Sequence, residues 1–211
     1  IASPDEFTGP TTELLQALIR NACVNDGTPD SGNETRNSDL LVTYLEGAGL
    51  EVERFTPREG RDSMVARIEG SDPDAPSLCL MAHTDVVPVN PDGWSEDPFG
   101  GEVIDGEVWG RGAIDMLNLT SSMAVAFRRL ATEGFRPKGD LIYFGVADEE
   151  AGAVWLQRLT QRFQRYAWLN PEPQDRWDYV QSIGIARQLL AERMYPLTLH
   201  GLDDAIRALK A

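Results

Sequence analysis

The chain has 211 residues, 42% of them hydrophobic and 8% aromatic, enough to bury a globular core. Its 34 acidic and 19 basic residues give a net charge of -15, and that field repels nucleic acid and anionic membranes, so neither is expected as a partner. The two cysteines, Cys23 and Cys79, cannot build a disulfide framework and read as reduced, buried thiols; no apolar run approaches the roughly 18 residues of a membrane span, and a soluble, cytoplasmic protein is expected.

The first helix is predicted to start near Pro10, with Leu14, Leu15, Leu18 and Ile19 at helical spacing. Residues Asn25 to Asn37 are dense in turn formers and read as a loop. A second helix is expected over Ser38 to Glu46, stopped by Gly47 and Gly49. Short strands follow at Glu51 to Phe55 and Ser63 to Ile68, then an apolar strand at Leu78 to Ala82 that reads as buried on both faces. The segment "GEVIDGEVWGRG" predicts a hairpin turning at Asp105-Gly106. A long helix over Leu119 to Thr132 and a second apolar strand over Asp140 to Ala147 complete an α/β pattern, a layered sheet with helices on both faces. Composition then shifts. Residues 156–211 carry 8 basic and 6 acidic side chains, against 11 and 28 in residues 1–155, which places the acidity in the first part.

Both apolar strands end in groups with chemistry. His83 and Asp85 follow the first, and Asp148, Glu149 and Glu150 follow the second. The carboxyl ends of strands in open α/β sheets are where sites assemble, so the two groups are expected to meet. A third group comes from "GRGAIDMLN", which presents Asp115 just before a helix. Five carboxylates around one imidazole repel one another strongly unless cations sit among them. Imidazole plus carboxylates suits zinc, one ion or two, with cobalt or manganese as substitutes. A carboxylate such as Asp115 has the reach to bridge two ions about 3.5–4 Å apart. Asp85, two residues past His83, is placed to hold the other imidazole nitrogen. Of the adjacent glutamates, one can bind metal while its neighbour takes a proton from water.

The segments "AHTDVVP", "GWSEDPFGGEVIDGEVWGRGAIDM" and "ADEEAG" resemble the successive signatures of the aminoacylase, glutamate carboxypeptidase and succinyl-diaminopimelate desuccinylase family of di-zinc peptidases. The resemblance runs from about Thr11 to Gly152. It implies that His83 binds one zinc, Asp115 bridges, Glu150 binds the other zinc, Glu149 is the general base and Asp85 orients His83. It also implies a cis peptide bond after Asp115, and hydrolysis of amide bonds in N-acyl amino acids or small peptides. The family needs two further ligands, an acidic residue one strand later and a histidine near the C-terminus. Glu172 in "WLNPEP" and His200, the only other histidine, are the candidates.

The tail over about 155–211 resembles the last strand and helix of von Willebrand factor A type domains of the carbon monoxide dehydrogenase accessory class. Together the two resemblances imply a catalytic domain over residues 1–152 that lacks the family's lid domain, fused near Gly152 to Val154 to a tail over residues 153–211. Two functions compete: a zinc-dependent amidohydrolase impaired by truncation, or an inactive fusion acting as a scaffold. A sheet edge left uncovered by the missing lid favours a homo-oligomer.

Overall fold

The computed structural model describes residues 4–28 and 30–150. Along them run α1 (Pro4–Arg20), α2 (Thr35–Glu46), β1 (Val52–Phe55), β2 (Ser63–Ile68), β3 (Leu78–His83), β4 (Glu102–Ile104), β5 (Glu107–Trp109), α3 (Leu117–Thr132) and β6 (Leu141–Val146). The main sheet has the order β1-β2-β6-β3. β2 pairs antiparallel with β1 and β6, while β3 pairs parallel with β6 in the register Leu78 to Leu141 through His83 to Val146. That parallel pairing decides the site. It sets the carboxyl ends of β3 and β6 side by side, so that His83 and the acidic run after Val146 emerge at the same end of the sheet.

One face of the sheet, carrying Met64, Ala66, Ile68, Leu141 and Tyr143, joins a single core with Leu41 and Leu45 of α2 and Ala124 and Phe127 of α3. α1 lies over α3 and adds Leu14, Leu15, Leu18 and Ile19 to that core. Helices on both faces were expected, and the described residues supply those of this one. Phe127 and Tyr143 meet with ring centroids 5.9 Å apart, and the buried Tyr143 hydroxyl donates to the Thr120 carbonyl at 3.0 Å. Thr120 in turn donates its hydroxyl to the His83 carbonyl at 2.7 Å, which fastens the start of α3 to the end of β3.

The sequence pattern places most elements within a few residues, and the departures have physical reasons. α1 begins at Pro4, ahead of the expected Pro10, because its first turns gain contacts from α3: Arg129 pairs with Glu6 at 3.3 Å and sits 5.9 Å over the Phe7 ring. α2 starts three residues early, at Thr35, and its opening turn is fixed by buried polar groups that apolar periodicity does not register. Asn37 donates to the Thr84 carbonyl at 2.7 Å and Ser38 to the Asp62 carbonyl at 2.5 Å. β3 is not buried on both faces. Among the described residues it is an edge strand, with Leu78 59% and Met81 44% exposed, and only Ala82 and His83 are buried. Cys79 on that strand is accordingly only half-buried, while Cys23 is buried, and both are free thiols. The hairpin forms as expected, with Asp105 and Gly106 both at positive φ, 53° and 85°, as a two-residue turn of the primed type requires.

No helix among the described residues is long and apolar enough to cross a membrane. The tail from residue 151 on, including Glu172, His200 and the expected join, lies outside the described residues.

Candidate metal centre

His83 ends β3 with its ring buried, 6% exposed, and its two nitrogens face different groups. Nε2 lies 3.2 Å from Asp115 Oδ1 and 3.9 Å from Glu149 Oε2. Nδ1 lies 2.9 Å from the Asp85 main-chain carbonyl and 3.5 Å from the Asp85 carboxylate. The residue expected to orient the imidazole does touch it, with the carbonyl as the closer contact. A proton on Nδ1 donates to that carbonyl and leaves Nε2 free to bind a cation. His83, Asp115 and Glu150 each offer one ligand atom, and all three atoms lie within 4.8 Å of one another. Asp115 precedes a cis peptide bond to Met116, the bond the resemblance implies. Four of the residues expected at the site therefore converge on His83 from two loops and one helix start; Glu172 lies outside the described residues.

The carboxylate of Asp85 has a further task. It accepts the main-chain amides of Glu149 at 3.2 Å and Glu150 at 3.0 Å, together with the Asn25 side-chain amide at 2.8 Å. Burial alone would raise its pKa, but His83, the Asn25 amide and the Glu150 main-chain amide hold it below the ordinary carboxylate range. Burial would likewise lower the imidazole of His83. The Asp85 carboxylate and carbonyl, with the charge of Glu150, reverse that effect and push it up to about 9. The Glu150 carboxyl is raised by burial first, against the lowering effect of His83, and then by the charges of Asp115, Asp85 and Glu149. Mutual repulsion of this kind is what a divalent ion relieves, and one imidazole with carboxylate oxygens is a donor set that fits zinc.

Sequence reasoning missed the buried polar layer beneath this cluster. Arg61 is 1% exposed and donates to Glu34 Oε1 at 2.6 Å and to Asn25 Oδ1 at 3.2 Å. Glu34 is fully buried, and burial pushes its carboxyl up despite the charge of Arg61. The visible signal was an arginine leading directly into an apolar strand, which no apolar pattern explains. Gly32 closes this layer at φ +83, and a Cβ there would overlap the Arg61 guanidinium. Gly32→Ala is therefore expected to lower stability by about 1–3 kcal/mol, from strain and overpacking together. A thermal melt reads this as a lower Tm, and an unchanged Tm contradicts it. Arg111 lies 5.5 Å over the Trp94 ring and donates to the Pro88 carbonyl at 3.4 Å.

Residues 79–194 match the profile of peptidase family M20/M25/M40. The chain belongs to that family. A succinyl-diaminopimelate desuccinylase of Rhodopseudomonas palustris is 39% identical over 153 residues, which cover 70% of this chain and 37% of that protein. The desuccinylase of Methylobacterium nodulans is 35% identical over 207 residues, covering 92% of this chain and 49% of that one. This M20 chain thus spans between about a third and a half of the length of these curated relatives. Among solved structures, the M20 metallo-carboxypeptidase Sso-CP2 of Sulfolobus solfataricus aligns with a TM-score of 0.57 at 18% identity, over 76% of this chain and 35% of that one. Human carnosine dipeptidase 1 aligns with a TM-score of 0.54 at 24% identity, over 77% and 37%. At these identities the likeness speaks for the fold. The M20 match continues past residue 152 into the tail, whose resemblance to von Willebrand factor A domains finds no support in these comparisons.

Proposed function

We propose that this M20 chain carries the metal-binding and proton-transferring residues of a zinc-dependent amide hydrolase. In this reading His83, Asp115 and Glu150 would hold zinc, His83 and Glu150 on separate ions with Asp115 shared between them, Glu149 would act as general base, and Asp85 fixes His83. The observation that carries it is the approach of ligand atoms from His83, Asp115 and Glu150 to within 4.8 Å of one another. Zinc bound there would polarise the substrate carbonyl and lower the pKa of water. Glu149, half-exposed and 3.9 Å from His83 Nε2, would take the proton from water and pass it to the leaving amine. Asp85 keeps the backbone of both glutamates in place during that exchange.

The names of the relatives suggest the substrate class: an N-succinyl amino acid, or more broadly an N-acyl amino acid or small peptide. An alignment with the Methylobacterium nodulans desuccinylase over 92% of the chain favours this reading over a fused scaffold. The test is hydrolysis of an N-succinyl amino acid by the 211-residue chain. A rate that a chelator abolishes and zinc restores is expected. Absence of turnover with zinc present contradicts the activity, and a rate indifferent to chelator contradicts the metal.

Proton linkage gives a second expectation. The imidazole, pushed up to about 9, is protonated at neutral pH, and a metal takes only the neutral form. Zinc uptake must then release that proton. Its apparent association constant is expected to rise about tenfold per pH unit as pH climbs from neutral toward about 9, and to level off above. Calorimetric titration across that range checks this; a flat profile contradicts it. Without metal the sign reverses for the fold itself. A pKa raised from 6.5 to about 9 stabilises the metal-free chain below 6.5, and the contribution is lost as pH rises through about 9.

A further inference from the structure

Asn25, Glu34 and Arg61 are three buried polar side chains without a role in the chemistry above: 2%, 0% and 1% exposed. They come from the loop after α1, the cap of α2 and the entry to β2, three separate segments. A buried guanidinium is a costly way to fill space, since apolar residues of similar volume often pack as well or better. What apolar residues lack is direction. Arg61 has only donors, so it fixes the Asn25 amide with its oxygen toward the guanidinium, at 3.2 Å. The amide nitrogen then points the opposite way. It donates to Asp85 Oδ2 at 2.8 Å and to Asp148 Oδ1 at 3.0 Å. A parallel route runs through Glu34, whose Oε1 accepts both from Arg61 at 2.6 Å and from the Asp148 main-chain amide at 2.9 Å. Both routes end on the turn that carries Glu149 and Glu150. Asp148 within it has φ 63°, a conformation uncommon for a residue with a side chain, and so in need of fixed partners.

We propose that Arg61, Glu34 and Asn25 are positioning residues of the metal centre: they hold Asp85 and the 148–150 turn so that both glutamates face His83. The inference rests on the assignment of Glu149 and Glu150 to the site. The layer acts through Asp85 and the backbone, and touches neither substrate nor metal.

The test is amide hydrogen exchange at Glu149 and Glu150, followed by NMR on the metal-free 211-residue chain. Asn25→Ala and Arg61→Lys are compared with the parent and with Leu45→Ala, which loosens the core in α2 away from the layer. Exchange at both amides is expected to quicken by about tenfold or more in the two layer variants, and to match the parent in Leu45→Ala at equal distance below Tm. Unchanged exchange in Asn25→Ala overturns the proposal, as does equal acceleration in Leu45→Ala, which would mark a general loss of stability. Zinc titration of the same proteins adds a second readout, with about 10–100-fold weaker binding expected in the layer variants and parental affinity in Leu45→Ala. Should the parent bind no zinc, the hydrolase reading fails by itself, and the exchange data still decide whether this layer positions the turn.

Discussion

Replacing Glu149 by Gln is expected to lower hydrolysis of an N-acyl amino acid by about 10²–10⁴-fold, the usual worth of a general base, while zinc content stays at the parental value. Both halves of that expectation come from where the side chain sits. The Glu149 carboxylate is 52% exposed and approaches His83 Nε2 at 3.9 Å, so it is close enough to serve the site without being packed into it. Its backbone, by contrast, is held by the Asp85 carboxylate through the main-chain amide, a contact that the substitution leaves alone. Gln keeps the shape and removes the base. The check is kcat together with zinc counted by elemental analysis on the same sample. An unchanged kcat at unchanged zinc content removes Glu149 from the role of base.

Asp115→Ala is expected to act in the opposite pattern, with zinc lost and the fold kept. The Asp115 side chain is 77% exposed, and among the described residues it meets His83 Nε2 at 3.2 Å, so truncation to Ala opens no cavity in the core. As the residue proposed to bridge two ions, it contributes to both, and losing it is expected to weaken zinc binding by more than the about 10–100-fold that follows loss of an outer partner. Calorimetric titration of parent and variant reads the affinity and the number of ions per chain, and a thermal melt without metal reads the fold. Equal zinc binding by the two proteins contradicts the bridging role. A large drop in metal-free Tm would instead mark Asp115 as structural.

The cluster was legible in sequence because each member follows a strong local signal. His83 and Asp85 close one apolar run and Asp148 to Glu150 close another, and strand ends in an α/β chain point the same way only when the strands are parallel. β3 and β6 are parallel, and that single pairing turns two local signals into one site. The interior of β3 reads as buried on both faces because four apolar residues in succession look alike at the centre of a sheet and at its edge; among the described residues β3 pairs with a single neighbour, and Leu78 and Met81 are exposed. The layer of Arg61, Glu34 and Asn25 was illegible for a different reason. Its members lie 27 and 36 residues apart along the chain, and nothing local marks a charged or amide side chain as buried. The early starts of α1 and α2 belong to the same class: they depend on Arg129 and on the Thr84 carbonyl, partners far off in sequence.

Hydrolysis at this site requires that His83, Asp115 and Glu150 hold zinc. Crystals of the chain soaked in zinc and measured at the zinc absorption edge would place it directly. The predicted result is an anomalous peak about 2.0–2.2 Å from His83 Nε2 and a carboxylate oxygen of Asp115, with a second at the same distance from Asp115 and Glu150. An empty map at those points, with His83 Nε2 still resting on Asp115 Oδ1, would contradict it.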